Sequence, residues 1–273
     1  MKHALKNILS TAALVAVGTA HAASGYVWNA GTGTGSLTFS SEALSALSAS
    51  GSSIITPATL PSLVGMSNIL AGSANKAAYT KATGNVALTF NDATGVGDTL
   101  TSLSAANSLV NIRRSVVNDD STVTQYNIFM ANFKVDLSTS TVFANLYSNT
   151  GSGALTSYGY QAIFTSTVPG VVVGGTLGTI IVDGVSNGLA NGHASGSFAG
   201  NLKLNTNTAN TLLTALGLDT TGDVANLVRN ANWGSTSAAG VFTAPAVPEP
   251  SSYALMGLGL VGMGLARRRL AKV

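Results

Sequence analysis

The chain has 273 residues, no cysteine, and only 8% charged residues with a formal net charge of +3, against roughly 25% charged in an average soluble domain. The missing thiols exclude disulfides, thiolate metal sites and cysteine nucleophiles. Between residues 23 and 247 stand seven basic side chains (Lys76, Lys81, Arg113, Arg114, Lys134, Lys203, Arg229) against nine acidic ones, a net of −2, so the body lacks the clustered basic face that nucleic-acid binding needs.

At the N-terminus Lys2, His3 and Lys6 precede an apolar run over residues 8–18, and Ala20-His21-Ala22 follows as a small-x-small pattern. This order predicts a secretory signal over residues 1–22, cut before Ala23 by a signal peptidase after the export machinery has engaged it. The run is too short for a permanent membrane span.

From residue 23 to 233 short β-like runs alternate with turn clusters, which predicts one exported, mainly β domain. Early strands are expected at 36–40, 86–90 and 109–117. The clearest lies at 126–137, where alternation sets Phe129, Ala131, Phe133, Val135 and Leu137 on one face and Asn132, Lys134 and Asp136 on the other. A turn at 138–140 leads into a strand at 141–147, and 149–153 punctuates before another at 158–164. Residues 171–173, 179–182 and 195–204 continue the series. Ser41 is expected to cap a helix carrying Leu44 and Leu47, residues 207–216 make a second ended by Gly217, and 223–230 a third with Val224, Leu227 and Val228 facing inward. The spacing predicts an antiparallel, β-sandwich-like body with two or three short helices, and its glycine content leaves a β-helix as the alternative. Residues 234–246, small and proline-containing, read as a linker.

Few side chains suit catalysis. Once the signal is removed His193 is the lone histidine, and Gly192-His193-Ala194-Ser195-Gly196 fails the nucleophile-elbow pattern. The carboxylates Glu42, Asp92, Asp98, Asp119, Asp120, Asp136, Asp183, Asp219 and Asp223 sit mostly in turn-like contexts. Residues 92–98 and 219–223 have the oxygen content of calcium loops without the EF-hand spacing. The glycine runs at 31–35 and 174–178 miss the phosphate-loop patterns and read as turns. The aromatics Tyr126, Phe129, Phe133, Phe143, Tyr147, Tyr158, Tyr160 and Phe164 fall on neighbouring strands; most are expected in the core, with exposed tyrosines suited to stacking on sugar rings. No catalytic, cofactor or metal residue is assigned, and no enzymatic activity is expected.

The last 27 residues have three parts. Pro248-Glu249-Pro250 holds the backbone extended, residues 253–266 form a glycine-spaced apolar run of about 21 Å if helical, and Arg267, Arg268 and Arg269 make a cationic stop that stays cytoplasmic by the positive-inside rule. Over residues 247–273 the chain resembles the PEP-CTERM sorting signal. That resemblance implies recognition and cutting by an exosortase, a membrane-embedded transpeptidase-like enzyme, and an exported substrate linked to exopolysaccharide and biofilm. It implies transient anchoring in the inner membrane by the C-terminal helix, then a cell-surface or secreted product. A non-enzymatic structural or matrix protein is the function expected, with extracellular polysaccharide as partner; a carbohydrate-binding module or carbohydrate-active enzyme is the alternative.

Overall fold

The computed structural model describes residues 27–28, 30–55, 78–151, 153–166, 179–198, 201–245 and 258. The strands are β1 (Val27–Trp28), β2 (Ala30–Phe39), β3 (Ser52–Ile55), β4 (Ala78–Thr80), β5 (Asn85–Phe90), β6 (Asp92–Val96), β7 (Thr99–Val117), β8 (Val123–Asp136), β9 (Thr141–Thr150), β10 (Thr156–Ser166), β11 (Ile181–Ser186), β12 (Leu189–Phe198), β13 (Leu202–Leu204) and β14 (Gly234–Pro245). Among the described residues three short helices join them: α1 (Ser41–Ala49), α2 (Thr206–Ala215) and α3 (Asp223–Asn230). The expected strand at 171–173 lies outside the described residues, as do the signal segment with Ala20 and Ala22 and the tail apart from Leu258. Among the described residues no helix is long and apolar enough to cross a membrane.

Two antiparallel sheets enclose one core. The eight-stranded sheet runs β1-β6-β7-β8-β9-β10-β13, with β3 also on β7; the six-stranded sheet runs β11-β12-β14-β2-β5-β4. A sandwich-like body is therefore present. The β-helix alternative does not hold, because every strand pairing among the described residues is antiparallel, whereas a β-helix stacks parallel rungs.

The main core draws on both sheets and all three helices. At one end of β2, glycine keeps room for Phe242 and Ala93; at the other, Phe39 meets Phe164 of β10 edge-on at 6.4 Å. β2 therefore crosses the larger sheet from β6 to β10, as in crosswise sandwich packing. Trp233 completes that aromatic corner, 6.2 Å from Phe39 and 5.6 Å from Phe164.

Of the expected linker, residues 234–245 are a strand instead. Gly234–Pro245 forms β14, inserted between β12 and β2 over nearly its whole length. Its first seven residues are mostly Ser, Ala and Gly and carry little β-propensity, yet Thr236, Phe242 and Ala244 are buried on the inner side. The inward glycines of β2 let the neighbouring rings lie flat across them: a Cβ on Gly35 would stand 2.4 Å from the Phe90 ring, and one on Gly31 2.5 Å from Phe242. The small residues of β2 and the rings of its two neighbours, β14 and β5, thus share the inner face of one sheet.

The expected faces of β8 are also corrected. Ile128, Met130, Phe133 and Val135 enter the main core, while Phe129 and Ala131 join Leu109 in a second cluster on the opposite side of the sheet. The cause is a β-bulge at Asn132 (φ 56°), where the register jumps between Ala131 and Lys134 against β9 and between Ala105 and Leu109 against β7. One extra residue swaps faces along a strand of period two. The Ser108 hydroxyl fills the gap, donating to the Ala105 carbonyl at 2.5 Å and accepting from the Phe133 amide at 3.0 Å.

The helices follow the expected positions with small shifts. Ser40, one residue earlier than expected, caps α1 by accepting from the Ala43 amide, and Asn205 caps α2. In α3 the inward residues are Ala225 and Val228, whereas Val224 and Leu227 are exposed. The helix is rotated because it packs on α1, which offers the buried alanines Ala43 and Ala46, so the small Ala225 rather than a bulkier neighbour takes the contact.

Candidate functional site

The carboxylates do not converge. Asp120 accepts from the hydroxyl and amide of Thr122, and Asp219 does the same with Thr221; in both, hydrogen bonds to the ionised form hold the carboxyl below its ordinary range. Partial burial opposes ionisation of Asp136, but bonds from Ser138 and the Thr139 amide, with Lys134 nearby, outweigh it and lower its pKa too. Glu42 and Asp223 lie in the first turns of α1 and α3, where a negative charge suits the helix dipole. No group of three potential metal ligands occurs among the described residues. Residues 92–98 are a strand, β6, and its closing turn rather than a loop, and in 219–223 the Asp219 carboxylate is already engaged by Thr221. Likewise residues 31–35 belong to β2, not a turn; 174–178 lie outside the described residues.

These depressed carboxyls set a pH expectation. A folded-state pKa below the unfolded one contributes stability above the unfolded value, and that contribution is lost as pH falls through the folded value. The thermal midpoint should hold steady through neutral pH and fall below about pH 4. Asp136→Asn, measured by thermal melts across pH, should flatten part of that decline.

One acidic residue does find a partner that the sequence reading missed. His193 Nδ1 and Asp183 Oδ1 lie 2.6 Å apart, both about half exposed. A bulge between Val182 and Gly184 re-aims Asp183 across to β12, and the turn at Asn187-Gly188, both with positive φ, closes the hairpin. Asn-Gly between strands is the strongest short hairpin signal, and it was available in the sequence. The pair sits on an open sheet face, and Ser195 is two residues along the same strand.

That face is the outer side of the six-stranded sheet. β2 presents Thr32, Thr34, Ser36 and Thr38; β5 presents Ala87 and Thr89; β14 presents Ser235, Ser237, Ala239, Val241 and Thr243; β12 presents Asn191, His193 and Ser195. Register aligns these into rows: Ser195, Ala239, Thr34 and Thr89 stand abreast, as do Ser237, Ser36 and Ala87. The Ser36 and Ser237 hydroxyls bond to one another at 2.9 Å. Apart from Asp183 and His193, the row-forming side chains carry no charge. Period-two alternation of inward glycine with outward threonine in β2 produces this face directly.

On the larger sheet the outer side is aromatic in part. Phe143 and Tyr160 stack with centroids 5.2 Å apart and planes 9° from parallel, and Tyr160 is half exposed. Burial, then the nearby Asp136 charge, pushes the Tyr160 hydroxyl pKa up. Of the other six aromatics, Phe133 and Phe164 lie in the main core and Phe129 in the second cluster, whereas Tyr126, Tyr147 and Tyr158 are partly exposed at the edges of these clusters, so fewer are interior than expected.

The sorting residues Pro248, Glu249, Pro250, Arg267, Arg268 and Arg269 lie outside the described residues, immediately beyond β14. No curated protein and no solved structure matches the chain. The family profile of the PEP-CTERM protein-sorting motif matches residues 246–269, so the chain is an exported protein whose C-terminus is a PEP-CTERM sorting tail.

Proposed function

We propose that this chain is a non-enzymatic surface or matrix protein that lies along extracellular polysaccharide through the hydroxyl face of its six-stranded sheet. In this reading a signal peptidase releases the body at Ala23, the tail holds it in the inner membrane through residues 253–266, and an exosortase-like enzyme acts at Pro248-Glu249-Pro250. The observation that carries the reading is the face itself: rows of Thr and Ser, wide enough for several strands and nearly free of charge. Such a surface offers donors and acceptors to sugar hydroxyls, mostly through bridging water, without electrostatic bias toward or against anionic glycans. Binding rather than hydrolysis is favoured because Asp120, Asp136 and Asp219 are engaged by their own turns and Glu42 and Asp223 stand in the first turns of helices, whereas glycoside hydrolysis needs two carboxylates on one cleft.

The test is retention on exopolysaccharide isolated from producing cells. Replacing Thr32, Thr34 and Thr89 together by Val keeps the β-branched shape and removes three exposed hydroxyls. Retention of the triple variant should fall severalfold with its melting temperature nearly unchanged. Equal retention of the variant and the parent protein would refute the role of this face.

A further inference from the structure

We propose that the end of the sandwich from which β14 departs is a lipid-docking surface, seated on the outer leaflet of the inner membrane while the tail is in place; this rests on the anchored state described above. Two independent observations lead there. The first is the tether. β14 ends at Pro245 and the apolar run begins at Tyr253, so only residues 246–252 intervene. Fully extended, these span at most about 25 Å, and part of that length crosses the headgroup layer. β14 is locked between two strands, with Pro245 opposite Leu189 and Thr243 opposite Ala30, so the body cannot lengthen the tether without breaking its own sheet. The exit end is therefore held against the bilayer.

The second observation is what that end exposes. Val27 and Val96 form a cross-strand pair, 56% and 61% exposed. Leu189 (45%) stands beside Pro245, and Ile181 (44%) and Val241 (61%) flank His193 in one row across β11, β12 and β14. Val185 lies on the same edge hairpin, also about half exposed. Large aliphatics on a soluble surface are ordinarily scattered singly, and a grouping of this kind marks an interaction site. Trp28 ties the two sets together: its indole donates to the Gly97 carbonyl in the β6–β7 turn, and its ring lies close to Gly192 of β12. Among the described residues the strands and turn that build this end, β1, β6, the β6–β7 turn, β11, β12 and β14, carry Asp92, Asp98 and the Asp183–His193 pair, with no lysine or arginine. The surface thus suits the interfacial region, where apolar side chains enter and the few polar ones stay in water. Release of the tail would leave the same aliphatics facing solvent.

Absence of cysteine makes the test direct. The tail-bearing exported chain is reconstituted into vesicles of phosphatidylethanolamine and phosphatidylglycerol. It carries single cysteines at Leu189→Cys or Val241→Cys on the exit end, or Asp119→Cys on the remote β7–β8 turn, all at exposed positions. Flotation reports anchoring, and reaction with a bulky maleimide reports access. The chain should float, with the exit-end cysteines reacting severalfold more slowly than in detergent and the Asp119→Cys site unchanged. Flotation with all three sites reacting equally would overturn docking and leave the anchor standing. Failure to float would overturn the anchored state and docking with it. Protection seen only in native membranes that contain the processing enzyme would replace lipid by a protein partner.

Discussion

Replacing Trp233 by Ala is expected to cost about 3–5 kcal/mol, the range for deleting a large buried aromatic, out of a total that for domains of this kind is about 5–15 kcal/mol. The position joins four parts of the molecule. Its ring, 2% exposed, packs against Phe39 of the smaller sheet and Phe164 of the larger one. Its indole donates to the Val228 carbonyl at the end of α3, and its backbone amide to Leu202 of β13. Its carbonyl accepts from Ser40, the residue that caps α1. Truncation opens a cavity where surrounding groups belong to rigid strands and cannot collapse inward, which places the cost at the upper end. Urea unfolding of the variant should show a strongly lowered midpoint with an unchanged slope. A double-mutant cycle with Phe164→Ala should show coupling, because both changes enlarge one cavity. A loss below about 1 kcal/mol would mean that this corner does not hold the sheets together, since values of that size are typical of ordinary substitutions.

How far the fold is legible in the sequence depends on which residues carry the pattern. Strands rich in β-branched and aromatic residues declare themselves: the run expected at 141–147 became Thr141–Thr150, and that at 158–164 became Thr156–Ser166. β14 does not, because Ser, Ala and Gly have little preference for extended backbone and acquire it here from two flanking strands. The same holds for β6, whose Asp92-Ala-Thr-Gly run suggests a loop until Trp28 and Leu103 line up beside it. The hydroxyl face was written in plain view, as threonine alternating with glycine in β2, yet its width depends on which distant strands become neighbours. The Asp183–His193 pair depends on a bulge, and a single sequence gives no mark for where an extra residue enters a ladder. The sorting tail is the opposite case: its three parts are contiguous, so order alone identifies them.

The bulge at Asn132 separates two accounts of β8 most sharply through Met130. Uninterrupted alternation would set Met130 on the same face as Asn132 and Lys134, where an aspartate should change stability by no more than about 0.5 kcal/mol. With the bulge in place Met130 lies in the main core at 0% exposure, with Ile128 and, after the extra residue, Phe133 on its side. Burial of this kind raises a carboxyl pKa by about 3–5, and each pH unit between the unfolded value of about 4 and neutrality costs about 1.4 kcal/mol, so Met130→Asp should lose roughly 4 kcal/mol at neutral pH before any cavity cost. The sign of its pH dependence is opposite to that of Asp136. A carboxyl whose folded pKa is raised destabilises progressively as pH climbs above the unfolded value, so the variant should be least impaired near about pH 4. Phe129→Asp must also destabilise, because Phe129 is buried in the second cluster, so the two substitutions together are informative. Damage from both requires two buried faces on one strand, whereas a harmless Met130→Asp would return β8 to simple alternation and remove the bulge from the fold.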